Sequence, residues 1–419
     1  MEIKPIKDLN ATVEIPGSKS YTQRALIIGA LAKGKSFLRN ALLCEDTEYL
    51  IEALKSLGSE ILIEDGGMIV MGTNGNIGNP RGDVYLGNNG TAMRFLASLV
   101  SLGEGVFTIT GDQRLCERPI KPLLDALKIL GVDARSMGEG GCPPVVVHAN
   151  GLRGGRVTLT DIDSSQYVSS LLICAPFAES DTVIELLGRI PSLPYIGMTI
   201  EVMEAFGVEV NRETPNRYSV KSAQRYEGKR YRIEGDVSSA SYFFLAAALV
   251  RGRVRVQDIN PQTLQGDIKL LAIMERFGCT VTRGGHWVEV VGGDLPPGEY
   301  IIDLGDMPDM VPTLSVLGAI RPGRTVIEKV SHLRTKESNR LKALVTELRK
   351  TGVKAEERDD GLVIEGDRPH GAEIETYNDH RIAMSFAILG LRIPGMKIKG
   401  QDCVNKSFPG FWEEMKKLS

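Results

Sequence analysis

Aromatic residues are scarce in this chain, and several common site signals are missing. Phe, Trp and Tyr make up 6% of the 419 residues. The six cysteines include no C-x-x-C pair, which argues against a zinc knuckle or a redox motif. The five histidines show no H-x-x-x-H pattern. We therefore expect no metal site and no cofactor.

Membrane and nucleic-acid signals are also weak. No apolar run approaches the roughly 20 residues of a membrane span, and the first residues lack the apolar stretch of a secretory signal. Scattered single cysteines suit a reducing compartment. Lys and Arg total 50 and Asp and Glu 53, a net charge of −3. We expect a cytoplasmic protein that binds neither membrane nor nucleic acid.

Glycine, by contrast, is abundant at 46 residues. The composition is otherwise that of a globular protein, with 42% hydrophobic and 25% charged residues. At roughly 100–200 residues per domain, the length indicates two to four domains or one large α/β unit. So much glycine predicts many tight turns and close backbone packing.

A helix that ends in glycine recurs along the chain at intervals of roughly 70 residues. The missing Cβ of glycine permits the left-handed backbone that commonly ends helices. Alternating apolar and polar residues follow each glycine, which predicts a pair of strands. The five glycines are Gly58, Gly131, Gly207, Gly278 and Gly352.

A second marker is a small or polar turn that opens an apolar helix six times. Together the two markers predict six units, each strand–helix–strand–helix–strand–strand in outline. Helix openings expose free N–H groups and carry partial positive charge, so six openings at one cleft would bind an anion. The helices are predicted to begin near Arg24, Met93, Tyr167, Ser241, Met310 and Arg381.

The sixth unit is cut short, and an N-terminal strand at residues 12–15 can supply a missing strand. We therefore predict a discontinuous domain, residues 1–16 plus 235–419, which contains repeats 4–6 closed by that strand. Residues 17–234 form an inserted domain of repeats 1–3. Ligands commonly bind in clefts between domains.

Basic residues gather near the predicted helix openings. Lys336 and Arg340, at i and i+4, are predicted to share one helix face. A solvated helix face remains the alternative interpretation of that pair. So many cations in an acidic protein indicate a small anionic substrate with phosphate or carboxylate groups. The other basic residues of this group are Lys19, Arg24, Arg94, Arg114, Arg118, Lys121, Arg381 and Lys406.

Seven motifs, in order and end to end, resemble the 5-enolpyruvylshikimate-3-phosphate synthase family of enolpyruvyl transferases. The resemblance implies an α/β fold of two similar domains, each of three βαβαββ-like repeats. This is the inside-out α/β barrel type, with the active site in the interdomain cleft. The motifs lie at Pro16–Ser20, Leu86–Arg94, Gly111–Pro119, Ser164–Gln166, Arg334–Leu341, Tyr377–Met384 and Lys406–Pro409.

The family's reaction transfers the enolpyruvyl group of phosphoenolpyruvate to the 5-hydroxyl of shikimate 3-phosphate. It releases phosphate by addition and elimination through a tetrahedral intermediate, in the pathway to chorismate and the aromatic amino acids. The resemblance implies these two substrates, and we expect a monomer. Gly90 is retained, and in this family a glycine here leaves room for glyphosate, so we expect inhibition by glyphosate.

The resemblance also implies residue roles. Asp309 is the candidate base for the 5-hydroxyl, Glu337 exchanges the proton at C3, and Lys19 and His380 are further catalytic candidates. The shikimate 3-phosphate site would use Ser20, Arg24, Ser164, Ser165, Gln166, Ser192, Tyr195, Asp309 and Lys336. The phosphoenolpyruvate site would use Lys19, Gly90, Arg118, Gln166, Arg340, Arg381 and Lys406.

The chain departs from the family pattern at three positions. Phe95 stands where proline is frequent, and Asn89 stands where alanine is common. His332 replaces a common asparagine near the phosphate of the ring substrate, so it carries no assigned role.

Three other functions remain open at this point. UDP-N-acetylglucosamine enolpyruvyl transferase shares the fold and donor and uses a loop cysteine, and Cys116 lies in a comparable loop. The surrounding loop fits the shikimate family better, so we expect Cys116 to be a bystander. A phospho-ligand binder would not need Asp309 and Glu337. RNA-end processing conflicts with the net charge of −3.

Overall fold

A computed structural model describes residues 1–419 and divides the chain into two compact units. Gly17–Ile233 form the inserted unit, and Met1–Pro16 with Glu234–Ser419 form the discontinuous unit. Glu234, which the sequence assigned to the inserted domain, lies in the discontinuous unit. The side chain of Asn260 donates a hydrogen bond to its carboxylate there (2.6 Å).

Strands and helices alternate in one repeated order along the chain. The first three repeats contain β1 (Asn10–Glu14), α1 (Lys19–Leu31), β2 (Lys33–Arg39), α2 (Glu45–Ser56), β3 (Glu60–Glu64), β4 (Gly67–Thr73), β5 (Val84–Tyr85), α3 (Gly90–Leu99), β6 (Glu104–Thr110), α4 (Lys121–Ile129), β7 (Asp133–Ser136), β8 (Val145–Asn150), β9 (Gly155–Thr160), α5 (Gln166–Cys174), β10 (Thr182–Leu187), α6 (Pro194–Ala205), β11 (Val210–Thr214) and β12 (Arg217–Val220).

The same order continues in the second half, and the last repeat stops after its second helix. These repeats contain β13 (Arg230–Arg232), α7 (Val237–Val250), β14 (Arg253–Gln257), α8 (Leu270–Arg276), β15 (Thr280–Arg283), β16 (Trp287–Val291), β17 (Gly298–Asp303), α9 (Val311–Ile320), β18 (Gly323–Glu328), α10 (Arg340–Lys350), β19 (Lys354–Arg358), β20 (Gly361–Gly366), β21 (Glu373–Ile374), α11 (His380–Gly390), β22 (Lys397–Ile398) and α12 (Phe411–Lys416).

Each full repeat builds a four-stranded mixed sheet. In the second repeat β5 pairs parallel with β6, and β6 and β7 pair antiparallel with β8. The third and fifth repeats have the same pattern, in the orders β11-β12-β10-β9 and β17-β18-β20-β19. A helical crossover joins each parallel pair, and a hairpin supplies the antiparallel strands.

The first and fourth repeats exchange their first strands. β1 pairs parallel with β14 in the order β1-β14-β16-β15, whereas β13 pairs parallel with β2 in the order β13-β2-β4-β3. The N-terminal strand therefore belongs to the sheet of the fourth repeat, not to the shortened sixth repeat. The sixth sheet has only β21 and β22, and Glu2 forms an isolated bridge to Lys397 beside it.

The helices between the first and second strands of each repeat form the core. Every residue of α7 from Val237 to Leu249 is buried, and α9 is buried throughout. A helix that is apolar on all sides must be surrounded by protein. In the discontinuous unit α7, α9 and α11 pack on one another, and in the inserted unit α3 packs on α1 and α5. Helices inside and sheets outside confirm the predicted inside-out α/β class.

The five predicted glycine helix ends are confirmed. Their φ angles are 104°, 91°, 90°, 83° and 84° at Gly58, Gly131, Gly207, Gly278 and Gly352. The predicted helix starts are less accurate. The first helix begins at Lys19 rather than near Arg24, because Ser18 caps it by accepting the Tyr21 N–H. Lys19 and Ser20 therefore lie in the first helical turn.

No helix combines the length and the continuous apolar sequence that crossing a bilayer requires.

Candidate active site

In the inserted unit, the start of α1 is linked to the start of α3 through one carboxylate residue. Lys19 Nζ pairs with Asp46 Oδ2 at 2.7 Å, and both side chains are largely buried. The Asp46 carbonyl accepts a hydrogen bond from Asn89 Nδ2 (2.6 Å). Asn89 also caps α3 by accepting the Ala92 N–H (2.9 Å), so this departure from the family pattern preserves a helix cap. No motif or repeat marker singles out Asp46.

Gly90 is the first residue of α3 and lies directly against Arg118. A Cβ at Gly90 would lie 2.3 Å from NH2 of Arg118, well inside van der Waals contact. The buried Arg118 donates from NH1 to the carbonyl and side-chain oxygens of Asn88, at 3.2 and 3.1 Å. Arg94 NH1 donates to the Gly90 carbonyl (3.0 Å). Glycine at position 90 is therefore required for this approach of the guanidinium.

The start of α5 contacts the start of α3. Gln166 Nε2 donates to Thr91 Oγ1 at 2.9 Å, and the Gln166 N–H donates to Ser164 Oγ at 3.3 Å. Ser165 is buried, whereas Ser164 is half-buried. These contacts place the three predicted residues at one helix N-terminus, which favours anions.

Arg24 is fully buried, and every acceptor that it contacts is neutral. Its guanidinium donates to Thr199 Oγ1 (2.7 Å) and to the carbonyls of Ser20 (2.9 Å) and Tyr195 (3.2 Å). The rings of Phe95 and Tyr195 lie 5.4 and 5.7 Å from it. Burial lowers the pKa of Arg24 to about 10. Such a cation is suited to an anionic ligand.

Ser192, a predicted site residue, and Phe95, a departure from the family pattern, lie beside the contacts of Arg24 and Tyr195. Ser192 is buried with a left-handed backbone (φ 61°), and its carbonyl accepts the Tyr195 N–H at 3.1 Å. Phe95 contributes a ring against the Arg24 guanidinium, a contact that proline could not make.

In the discontinuous unit, Arg340 contacts three carboxylates. NH1 donates to Asp309 Oδ1 (2.8 Å) and NH2 to Glu337 Oε2 (2.7 Å). Nε donates to Asp379 Oδ2 at 2.8 Å. The other Asp309 oxygen, Oδ2, accepts from Arg381 NH2 at 2.7 Å. These bonds bring two predicted catalytic carboxylates and two predicted phosphoenolpyruvate arginines into one network.

The arginines determine the charge of Asp309. Burial alone would raise the pKa of this carboxyl, but the positive charges of Arg381 and Arg340 outweigh it and leave the pKa below its usual value. Burial would lower the pKa of Arg340, but the charges of Asp379, Glu337 and Asp309 raise it. Asp309 is thus ionised at neutral pH.

Asp379 and Asp267 are buried acids near this network that the sequence did not select. Asp379 is the N-cap of α11 and accepts from the Arg381 N–H (3.1 Å) and Ser338 Oγ (3.0 Å). Its place just before the predicted helix start is a signal that could have identified it. Asp267 accepts a hydrogen bond from the Ser238 hydroxyl. Burial, together with the charge of Asp309, raises the pKa of Asp267 to about 7. No repeat marker covers Asp267.

Two further predicted site residues, His380 and Lys406, are buried, as is His332, which has no assigned role. His380 is fully buried, with Nδ1 3.9 Å from Asp379 Oδ1. Lys406 is buried at the end of a short 3-10 helix (Gln401–Lys406) that packs on α11. His332 is buried in another such helix, Ser331–Thr335.

The predicted helix face of Lys336 and Arg340 is wrong. Lys336 has extended backbone and precedes α10, which begins only at Arg340. Arg340 is 1% exposed, which also rules out the solvated-face alternative. Asn339 ends the non-helical segment by accepting the Lys342 N–H at 3.2 Å, and so starts the helix one turn later.

Each unit thus brings together a group of the predicted site residues, and comparison with known proteins shows the family of the chain. The family model described as EPSP synthase (3-phosphoshikimate 1-carboxyvinyltransferase) matches residues 3–415. The chain belongs to the EPSP synthase family.

Relatives of similar length carry that family's name. Proteins called 3-phosphoshikimate 1-carboxyvinyltransferase from Nostoc sp. and Syntrophobacter fumaroxidans are each 42% identical to this chain. The alignments cover 98% of this chain and 97% of the Nostoc protein, and 99% of both chains for the Syntrophobacter protein. A solved EPSP synthase from Acinetobacter baumannii has a TM-score of 0.80 at 28% identity, covering 100% of this chain and 98% of that one.

These matches confirm the predicted family, fold class and enolpyruvyl-transfer function. They favour this function over the UDP-N-acetylglucosamine alternative.

Cys116 is a half-buried thiol whose sulfur lies 3.8 Å from the Gly111 carbonyl.

Proposed function

We infer that this chain transfers the enolpyruvyl group of phosphoenolpyruvate to the 5-hydroxyl of shikimate 3-phosphate in aromatic amino acid biosynthesis. C3 of phosphoenolpyruvate gains a proton while the 5-hydroxyl oxygen bonds to C2 and loses its own proton. The C–O bond to phosphate then breaks and C3 gives up a proton, which yields the enolpyruvyl ether and phosphate. The full-length EPSP synthase match carries this inference.

We propose that the network of the inserted unit binds most of shikimate 3-phosphate. The hydroxyls of Ser164 and Ser165 at the start of α5 suit a phosphate, since hydroxyls and free N–H groups meet at a helix N-terminus. Buried Arg24, with neutral acceptors only, suits the charged ring substrate. The proposed set is Ser20, Arg24, Ser164, Ser165, Gln166, Ser192 and Tyr195, with Asp309 and Lys336 from the discontinuous unit.

Phosphoenolpyruvate carries a phosphate and a carboxylate close together, so it needs several cations. Arg340 and Arg381 present planar donor pairs, and Arg118 lies beside Gly90. The proposed set is Lys19, Gly90, Arg118, Gln166, Arg340, Arg381 and Lys406. Both proposed sets contain residues of both units.

Asp309 is the proposed base for the 5-hydroxyl. Its two oxygens now accept from Arg340 and Arg381, which lowers its basicity. When the anionic groups of phosphoenolpyruvate bind these arginines, the carboxylate is released and its basicity rises. Binding of the donor would therefore activate the base.

Glu337 is the proposed acid and base at C3, and Lys19 and His380 are the other catalytic candidates. Glu337 lies on the same guanidinium as Asp309, so two carboxylates would face the cationic character that develops at C2. Lys19, paired with Asp46, would bind phosphate or deliver a proton.

We further propose inhibition by glyphosate, action as a monomer and a cytoplasmic location. An anionic analogue of phosphoenolpyruvate would use the same arginines, among them Arg118, which lies beside Gly90. All residues assigned to the two substrates come from one chain, which suits a monomer. All six cysteines are free thiols, which suits a reducing compartment.

Phosphate release tests the proposal. The protein is mixed with phosphoenolpyruvate and either shikimate 3-phosphate or UDP-N-acetylglucosamine. Release only with shikimate 3-phosphate is expected, and release only with the UDP sugar would overturn it. Glyphosate should compete with phosphoenolpyruvate, and Cys116→Ser should leave turnover largely intact.

A further inference from the structure

The turn before α11 has a backbone that one of its residues, Tyr377, disfavours. Tyr377 and Asn378 both have left-handed conformations, with φ of 54° and 53°. Asparagine adopts this conformation more readily than other non-glycine residues, whereas a bulky residue such as Tyr377 adopts it only where the surroundings impose it. The turn carries Asp379, His380 and Arg381, so its placement fixes three members of the discontinuous unit's network.

Glu347 on α10 supplies the surroundings of this turn. Its side chain is fully buried, and Oε1 accepts a hydrogen bond from the Tyr377 hydroxyl at 2.7 Å. Oε2 accepts from the Glu375 N–H at 3.0 Å and pairs with Lys350 Nζ at 2.7 Å. A buried carboxylate is stable only with such donors, so Glu347 holds the Tyr377 hydroxyl in place.

The same helix also contacts the far side of the turn. Arg340 lies two helical turns before Glu347 and therefore on the same face of α10. Its Nε donates to Asp379 Oδ2 at 2.8 Å. Helix α10 thus bonds to Tyr377 on one side of Asn378 and to Asp379 on the other.

We propose that Glu347 and Tyr377 are positioning residues for the phosphoenolpyruvate site. Their bond sets the register between α10, which begins with Arg340, and the turn that delivers Arg381. The proposal rests on the assignment of Arg381 to phosphoenolpyruvate made above. Tyr377 is 39% exposed, so removing its hydroxyl leaves the apolar core intact.

Tyr377→Phe tests this directly, because it removes only the hydroxyl. We expect kcat/KM for phosphoenolpyruvate to fall about tenfold, as small misplacements of substrate-binding groups do. The KM for shikimate 3-phosphate should stay within about twofold. Lys350→Gln is the matched control: it removes another partner of the same carboxylate but leaves the turn's bond, so both constants should stay within about twofold.

Hydrogen exchange of the peptide covering residues 375–382 supplies a second readout. Exchange should be faster in Tyr377→Phe than in Lys350→Gln, because only Tyr377→Phe removes the hydroxyl that bonds to Glu347. It should also be faster in Glu347→Gln, whose single side-chain oxygen cannot accept from both the Tyr377 hydroxyl and the Glu375 N–H. An unchanged kcat/KM for phosphoenolpyruvate in Tyr377→Phe, or an equal rise in KM for both substrates, would overturn the proposal.

Arg381→Lys separates this proposal from the assignment beneath it. An unchanged KM for phosphoenolpyruvate in Arg381→Lys would show that the assignment of Arg381 is wrong. If Arg381→Lys raises that KM and Tyr377→Phe does not, the assignment stands and the positioning role of Tyr377 fails.

Discussion

Asp309 accepts hydrogen bonds from two arginines and lies beside a second acid, Glu337, on the guanidinium of Arg340. Asp309→Asn keeps the shape of the side chain but cannot accept the proton of the 5-hydroxyl. We expect kcat to fall by at least about 100-fold, the usual contribution of a general base. Asp294→Asn, at a carboxylate that is 88% exposed, should leave steady-state turnover unchanged. Full turnover in Asp309→Asn would remove Asp309 as the base.

Gly90 permits the close approach of Arg118, so Gly90→Ala must displace that guanidinium. We expect a higher KM for phosphoenolpyruvate, by roughly tenfold for one displaced charged contact, and a nearly constant KM for shikimate 3-phosphate. Gly82→Ala is the control, since a Cβ there meets nothing within 4 Å and its φ is not left-handed. Equal kinetics of the two alanine variants would contradict the steric argument.

Asp267 predicts a pH effect on stability. Burial and the charge of Asp309 raise its pKa from 3.8 to about 7, so the folded protein binds this proton more tightly than the unfolded chain. Stabilisation by this proton is complete below the pKa of the unfolded chain, 3.8, and is lost as pH rises through the pKa of the folded protein, about 7. The loss is at most about 1.4 kcal/mol per pH unit.

Asp267→Asn does not titrate. Its free energy of unfolding, relative to the unsubstituted protein, should therefore rise between pH 5 and pH 7, by about 2–3 kcal/mol. Urea denaturation at the two pH values measures this. The same difference at both would show that Asp267 has no raised pKa.

At the residue scale, motifs in the sequence could nominate site residues but could not predict how each side chain is buried or which groups it contacts. Arg340 was expected on a helix face, yet it is 1% exposed and joins three carboxylates. Asp267 and Asp46 lie outside every motif and become visible only through their neighbours in space. Spacing along the chain does not report such long-range contacts.

At the scale of elements, the glycine helix ends were predictable because their cause is local. Gly207→Ala tests that cause, since a Cβ there meets no atom within 4 Å and only its φ of 90° is unfavourable. We expect a loss of about 1 kcal/mol in the free energy of unfolding. Gly285→Ala, equally open and without a left-handed φ, should change it by less than about 0.5 kcal/mol. Equal losses in denaturant titrations would refute the conformational explanation.

Strand pairing was less predictable than helix ends. The alternation in each repeat marks the strands but not their partners, and β1 and β13 have equivalent places in their repeats. Because both are short and pair parallel with the second strand of a repeat, local sequence cannot show that they are exchanged.

For the whole molecule, we predict that ligands make the protein more compact in solution, since the proposed substrate sets draw on residues of both units. The chain passes between the units only at Pro16–Gly17 and Ile233–Glu234. Shikimate 3-phosphate with glyphosate should therefore reduce the radius of gyration in solution scattering. The control is the same ligand mixture added to the Arg24→Ala variant. Identical scattering curves with and without ligands for the unsubstituted protein would contradict this prediction.

The exchange of β1 and β13 has a consequence for synthesis on the ribosome. Every strand of the inserted unit's three sheets exists once Arg232 has been made, so that unit can complete its sheets first. Strand β1 must wait for β14, roughly 240 residues later, which at about 5–20 residues per second means roughly 12–48 s. During that time β1 remains an unpaired strand, an exposed edge of the kind that can pair with another chain.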